Sequence, residues 1–335
     1  MRNVRLALFN SAIAMLVAVA VVVAAAALWF RNAIYGDRSL PAAPVSVVVP
    51  SGATFGEVAA RLQAAGVLAH PLAFRLLARL RSDDADIKPG EYRFPAGQTS
   101  DEVLRRLVDG DSDALWVTFP EGFTAAEMGR RLAQHGLAEA GAFARYARAT
   151  GLSVDGTRTP SLEGYLFPST YLIPRDAPPD RIAQILTDQF FRELPPDAAE
   201  RARKLGLDVP GVITLASLIE REAQADDERP LMAGVYYNRL RAGMPLQVDA
   251  TIEYIFPEHH TVITRRDLAI DSPYNTYRHA GLPPTPIANP GKASIDAAFA
   301  PQPSKYLYYV YKGDGHHAFA ATLDEHNANV RRYER

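Results

Sequence analysis

Three stretches of this chain are written on one template, P-x-G-x-T-x-x-E-x-x-x-R-L, and that repetition constrains the fold more than any other feature. The copies are Pro50/Gly52/Thr54/Glu57/Arg61/Leu62, Pro95/Gly97/Thr99/Glu102/Arg106/Leu107 and Pro120/Gly122/Thr124/Glu127/Arg131/Leu132. In each, a β-branched or aromatic run ends at Pro and Gly makes a turn. Thr then stands three residues before Glu, the spacing at which a hydroxyl caps a helix and the carboxylate reaches back to the cap N–H. Each copy therefore predicts strand, turn and amphipathic helix, and three of them predict a small α+β region over 45–150. Such a region suits a glycan-binding module or a set of structural spacers around a shared core, and the pattern does not separate the two.

Ahead of the repeats, Ala7 to Phe30 contains no charged residue. That is long enough to cross a bilayer as a helix, which takes about 20 residues. Arg2 and Arg5 precede the run and place the N-terminus in the cytoplasm by the positive-inside rule, while Trp29 and Phe30 stand at the far interface. A cleaved signal peptide, with Ala24–Ala27 at its cleavage site, is the other reading, but its apolar region would exceed the usual ~7–15 residues. Either way the remainder is exported. The expected order is a cytoplasmic tail (1–6), a transmembrane helix (7–30), a linker (31–44), the repeat region (45–150) and a mixed α+β domain (151–335).

With Lys+Arg 36, Asp+Glu 38 and a net charge of −2, the chain has no basic surplus to recommend nucleic acid as a partner. It has no cysteine, which removes disulfides, thiolate metal sites and a thiol nucleophile. His259/His260 and His316/His317 are adjacent pairs, whose side chains diverge on a strand, and no His-x-x-x-His helix is present, so no metal or other cofactor is expected.

In the second half, Asp208 and Pro210 open a helix that runs to about Gln224. From Val212 to Ile219 it carries no charge, then ends on Glu220, Arg221 and Glu222. Glu220 and Glu222 point about 160° apart, so they cannot act as a pair. On pattern alone Glu220 reads as the solvated end of a core helix. Residues 271–291 contain Pro273, Pro283, Pro284, Pro286 and Pro290, too stiff for helix or strand, and read as a binding wall. Tyr274, Asn275 and Tyr277 in it suit a sugar: rings for its apolar face, an amide for its hydroxyls. Residues 305–322 predict a hairpin across Gly313-Asp314-Gly315, followed by a terminal helix.

The segments "EGYLFPSTY" (163–171), "LASLIEREA" (215–223), "NRLRAGMPLQVDATIEY" (238–254), "SPYNTYRHAGLPPTPIANPG" (272–291) and "YLYYV…GHHAF…HN" (306–327) together resemble the YceG-like family of endolytic murein transglycosylases. In "GHHAF" only His317 aligns with the family histidine. The resemblance implies that the repeats form a LysM-like subdomain, that the second half is catalytic, and that Glu220 is the single acid/base. It implies a lyase, anchored in the inner (cytoplasmic) membrane, that cuts nascent peptidoglycan strands beside cell-wall synthases. Gln247, Asn275, Tyr277 and Tyr274 are then candidates to hold the sugar. Glu163 is a candidate on the substrate side, as orienter or as brace. Asp249 is expected to cap a helix. The apolar run before Glu220 is expected to desolvate its carboxyl, and the proline wall to keep water from the reacting carbon.

Overall fold

The computed structural model describes residues 2–36, 38, 40–256 and 262–333, with side chains from residue 13 onward except that of Ala140. His259 and His260 lie outside the described residues. Contacts divide the chain into two compact units, residues 1–116 with 171–175 and residues 117–170 with 176–335.

The first unit begins with α1 (Arg2–Arg31), extended by a π-helical turn to Gly36. Between Ile13 and Gly36 an 18-residue window has a mean hydropathy of 2.8 with none of that window buried, so among the described residues this is one helix long and apolar enough to cross a membrane. Next come β1 (Val45–Val49), α2 (Phe55–Ala64), α3 (Pro71–Arg81), β2 (Gly90–Phe94), α4 (Ser100–Asp109) and β3 (Ala114–Thr118). Strands β1 and β2 run antiparallel in the register Val45↔Phe94 to Val49↔Gly90. β2 continues antiparallel to β3 at Glu91↔Ala114, and the sheet order β1-β2-β3-β6 is completed by β6 (Thr170–Pro174). Alternation along β2 turns Tyr92 and Phe94 inward, where they meet Val58 and Leu62 of α2, Phe74 and Leu77 of α3, and Leu104 and Leu107 of α4.

The second unit is mainly helical. It contains α5 (Ala125–Gln134), α6 (Ala140–Ala149), the two-residue strands β4 (Ser153–Val154) and β5 (Thr157–Arg158), α7 (Pro179–Glu193) and α8 (Ala198–Leu205). After these come α9 (Val209–Glu222), α10 (Arg229–Arg241), α11 (Asp249–Glu253), α12 (Lys292–Phe299), the antiparallel hairpin β7 (Tyr308–Tyr311)–β8 (His317–Ala320) and α13 (Leu323–Tyr333). Helix α9 is the axis of this core: Val212, Ile213, Leu215, Ala216, Leu218 and Ile219 are all fully buried. An apolar run on every side of a helix is what an element surrounded by neighbours requires.

All three repeats form strand, glycine turn and helix. Gly52, Gly97 and Gly122 hold φ values of 77, 74 and 75°, so the turns are conformationally equivalent and need a residue free to enter the left-handed region. Thr54, Thr99 and Thr124 each close a reciprocal capping box with the Glu three residues on. The copies part company in tertiary placement. The first two lie in the first unit, whereas the turn and helix of the third belong to the second, so the contacts divide the chain at 116 and not near 150. Asp249 is the first residue of α11 and makes no capping bond there.

Candidate active site

Helix α9 starts where the sequence places it. The Asp208 carboxylate accepts from the Gly211 N–H at 2.8 Å, and Pro210 occupies the first turn, where its missing N–H costs nothing. Twelve residues after Asp208, the same helix delivers Glu220. Its side chain is only 6% exposed. Its Oε2 accepts from the Gly291 N–H at 3.0 Å and stands 3.6 Å from the Arg229 guanidinium. Arg229 is buried in turn, held by Asp226 at 2.9 Å and by the Ser294 hydroxyl at 2.5 Å. The surroundings of Glu220 are thus polar and charged, and the apolar setting expected from Val212–Ile219 is a property of the helix before it.

The partners of Glu220 come from segments far apart in sequence, and one side chain draws them together. Asn289 is fully buried. Its Oδ1 accepts from the N–H groups of Gly164 and Leu166 at 2.8 and 2.9 Å. Its Nδ2 donates to the Phe123 carbonyl at 2.9 Å and to Glu163 Oε1 at 2.8 Å. Its backbone pairs with Gly122 and Phe123 at 3.0 and 2.9 Å. The third repeat turn, the Glu163 loop and the end of the proline-rich segment are therefore fixed to one another. The Ser217 hydroxyl, one turn before Glu220, accepts from the Ile287 N–H at 3.1 Å and fastens that segment to α9. Neither Asn289 nor Arg229 stands out in the sequence. The only local signal is the Asn-Pro-Gly punctuation at 289–291 and the Arg-Pro pair at the start of α10.

Glu163 is 4% exposed and accepts from the Ala125 N–H at 2.9 Å, from Asn289 and from the Tyr254 hydroxyl at 3.4 Å. Burial pushes its pKa up to about 7, against the hydrogen bonds that pull it down. Of the two roles open to it, brace is the one the geometry supports, since every contact it makes is internal.

Asn275 is corrected more sharply. It is fully buried, with Nδ2 donating to the carbonyls of Leu268 and Ile270 and Oδ1 accepting from the Tyr277 N–H. Its amide shapes the loop and has nothing left for a sugar. Tyr274 is half-buried, its hydroxyl bonded to Thr285 at 2.7 Å and its ring 5.0 Å from that of Tyr254. Tyr277, also half-buried, donates to Asp249 at 2.5 Å. Gln247 is exposed, with φ at +53° and its N–H on the Thr276 carbonyl. A non-glycine residue held in that region is a strained position of the kind that gathers at functional sites.

The proline segment runs the length of α9, which is about 20 Å at 1.5 Å per residue. Pro283 and Pro284 line a cavity of about 270 Å³ with Thr157, Tyr165 and Asp208, at the N-terminal end of that helix. Gly291 alone reaches Glu220, so the wall nearest the carboxyl is 289–291 and not the paired prolines.

On the opposite face of α9, Glu222 is half-buried and accepts from the Tyr309 hydroxyl at 3.1 Å. Burial raises it to about 7, and the charge of Asp249 adds to the rise. Asp249 thus belongs to the surroundings of Glu222. His317, the histidine expected to match the family, is tied by its N–H and ring Nδ1 to Glu228.

The YceG-like family model matches residues 47–332. The endolytic murein transglycosylase of Bacillus subtilis strain 168 is 30% identical over 311 residues, covering 86% of this chain and 84% of the relative. That of Streptococcus pneumoniae serotype 2 strain D39 is 28% identical over 319 residues, covering 85% of this chain and 58% of the relative. The 2.6 Å crystal structure of a YceG-like protein from Listeria monocytogenes superposes with a TM-score of 0.59 at 28% identity, covering 86% of this chain and 99% of that one. The match spans both units and every element that builds the Glu220 site, and the chain belongs to the YceG-like family.

Proposed function

We propose that this protein is a membrane-anchored endolytic lytic transglycosylase that cuts the MurNAc–GlcNAc β-1,4 bond of peptidoglycan and leaves 1,6-anhydro-MurNAc ends, with Glu220 as its acid/base. Both relatives described above bear the name endolytic murein transglycosylase. The observation that carries the residue assignment is a carboxyl at the end of a rigid buried helix, pinned through one oxygen by Gly291. Among the described residues its Oε1 makes no hydrogen bond. In the reaction Glu220 gives a proton to the leaving O4 of GlcNAc as the C1–O4 bond breaks. The C6 hydroxyl oxygen of MurNAc closes on C1 and its proton is taken up by a carboxylate. No water enters, because the nucleophile is held within the substrate.

Asp249, the carboxylate that a hydrolytic mechanism would recruit, sits with Glu222 and Tyr277 and not with Glu220. Gln247 and Tyr277 are the proposed sugar contacts, the first exposed at a strained loop position and the second half-buried beside it. The second half is the catalytic part, and the repeats over 45–150 form a LysM-like region. Helix α1 crosses the cytoplasmic membrane with Arg2 and Arg5 inside, so the catalytic unit works outside, on nascent strands beside a cell-wall synthase. Mass spectrometry of glycan digested by the protein tests the reading. Internal cuts with anhydro ends are expected, while reducing ends alone, or intact strands, would overturn it.

A further inference from the structure

Helix α3 stands outside the repeat pattern. It lies in sequence between α2 of the first copy and α4 of the second, and the template does not supply it. One of its faces is core: Ala73, Phe74, Leu77 and Ala78 are buried with Tyr92 and Phe94 of β2. The opposite face carries Leu72, Leu76 and Leu80, which are 75, 49 and 69% exposed. A spacing of four residues sets the three in one stripe along the helix. Arg75 and Arg79 share that face and are exposed, and among the described residues neither guanidinium has an ion pair or a hydrogen bond. A single exposed leucine needs no explanation, whereas three in register beside unpaired cations mark a surface that meets something.

The neighbour of this helix is the exit of α1. The His70 ring, at the cap position of α3, packs edge-on against Trp29 with ring centroids 5.7 Å apart. At the other end, the Arg81 guanidinium donates to the Tyr35 hydroxyl at 3.1 Å. Both ends of α3 are thereby pinned to the stretch from Trp29 to Tyr35, which rises about 9 Å as a helix. The headgroup layer on each side of a bilayer is of similar depth, about 5–8 Å. We propose that α3 is an interfacial helix, whose leucine stripe enters the outer leaflet of the membrane that α1 crosses. The proposal rests on the reading that α1 spans the bilayer. Leu72, Leu76 and Leu80 reach the boundary between headgroups and acyl chains, and Arg75 and Arg79 lay their stems along them and turn their charges to anionic phosphates. A second copy of the chain is a poorer occupant, because a two-fold contact through this face would bring the unpaired guanidiniums of both copies into one interface. A single spanning helix leaves the unit it carries free to tilt. A second contact, made by α3, fixes the tilt of the first unit against the membrane.

The chain has no cysteine, so one nitroxide can be attached at a chosen position. The full-length protein labelled at Leu76→Cys is placed in vesicles of equal parts phosphatidylcholine and phosphatidylglycerol. Its collision rates are measured with oxygen, which concentrates in lipid, and with a water-soluble nickel chelate. Oxygen is expected to exceed the chelate at this position. Adding Arg75→Glu and Arg79→Glu should lower the oxygen-to-chelate ratio by about twofold or more, since each arginine near an anionic surface favours the immersed state. A label at Val17→Cys, within α1, reports on the span itself. Oxygen excess at 17 with chelate excess at 76 overturns the interfacial helix and leaves the span standing. Chelate excess at both positions overturns the span. Low rates with both reagents at 76 mean that protein covers the stripe, a second copy or another chain, and this also overturns the proposal. A ratio that the paired arginine substitutions leave unchanged removes the role given to Arg75 and Arg79.

Discussion

Glu220 and Glu222 stand two residues apart on α9 and occupy opposite worlds. The first faces Gly291 and Arg229; the second is half-buried and bonded to Tyr309, with Asp249 nearby. Glu220→Gln keeps size and one acceptor oxygen but cannot give and regain a proton. We expect it to fold normally and to lose about 10²–10⁴-fold in kcat. Glu222→Gln keeps its bond to Tyr309 and should retain most activity. Comparable activities in the two variants, measured as anhydro ends released, would remove the case for Glu220. Stability carries a separate signature. Glu163 and Glu222 have folded pKa values of about 7 against an ordinary 4.5, so between those limits the folded chain binds more protons than the unfolded one. Their contribution is therefore fully present below about pH 4.5 and is lost as pH rises through 7. Melting midpoints should fall across this window, and the fall should shrink in Glu163→Gln; an unchanged slope in that variant contradicts the assignment. At this scale sequence reading separated Glu220 from Glu222 by helix geometry. It misread Asn275, because an amide in a stiff loop serves a ligand or the loop itself equally well, and only burial decides.

The elements that sequence predicts best are those whose determinants are local. A capping box needs four consecutive residues and nothing else, so all three were visible, as was the Asp208–Pro210 start of α9. What brings Asn289 to Phe123, or Gly291 to Glu220, is a match across many intervening residues that no local pattern encodes. The same limit explains the third repeat: its strand, turn and helix were legible, but which core it would join was not. Removing the cap hydroxyl by Thr→Ala should cost about 1 kcal/mol at each of Thr54, Thr99 and Thr124. The functional cost should differ. Thr124→Ala loosens the start of α5, two residues after the turn that packs on Glu220, so its kcat should fall further than that of Thr54→Ala or Thr99→Ala at equal loss of stability. Denaturant melts paired with initial rates check both halves, and equal rates in all three variants would detach the capping box from the site.

At the scale of the whole molecule, the apolar span is not joined to the first unit by a loose tether. Past the end of α1, Ala33 and Ile34 are 2% and 0% exposed and belong to the core that contains Val47, Leu62, Phe74 and Leu104. The Ser100 hydroxyl donates to the Ala33 carbonyl at 3.2 Å, and Arg81 donates to the Tyr35 hydroxyl at 3.1 Å. The segment leaving the helix is thus part of the fold it precedes. With α1 in a bilayer, the first unit is held at the membrane surface, and a soluble fragment that begins after Gly36 lacks two buried residues of its own core. Ile34→Ala removes a fully buried side chain and should cost about 2–5 kcal/mol, set by how far the cavity collapses. The loss belongs to the first unit's core, of which Ile34 is a member. Limited proteolysis should therefore show earlier cutting within 45–110 in the variant, while cleavage of short glycan fragments by the second unit stays near wild type. A variant as resistant as the parent would mean that the junction contributes nothing to the first core, and that the anchor and the domain are energetically independent.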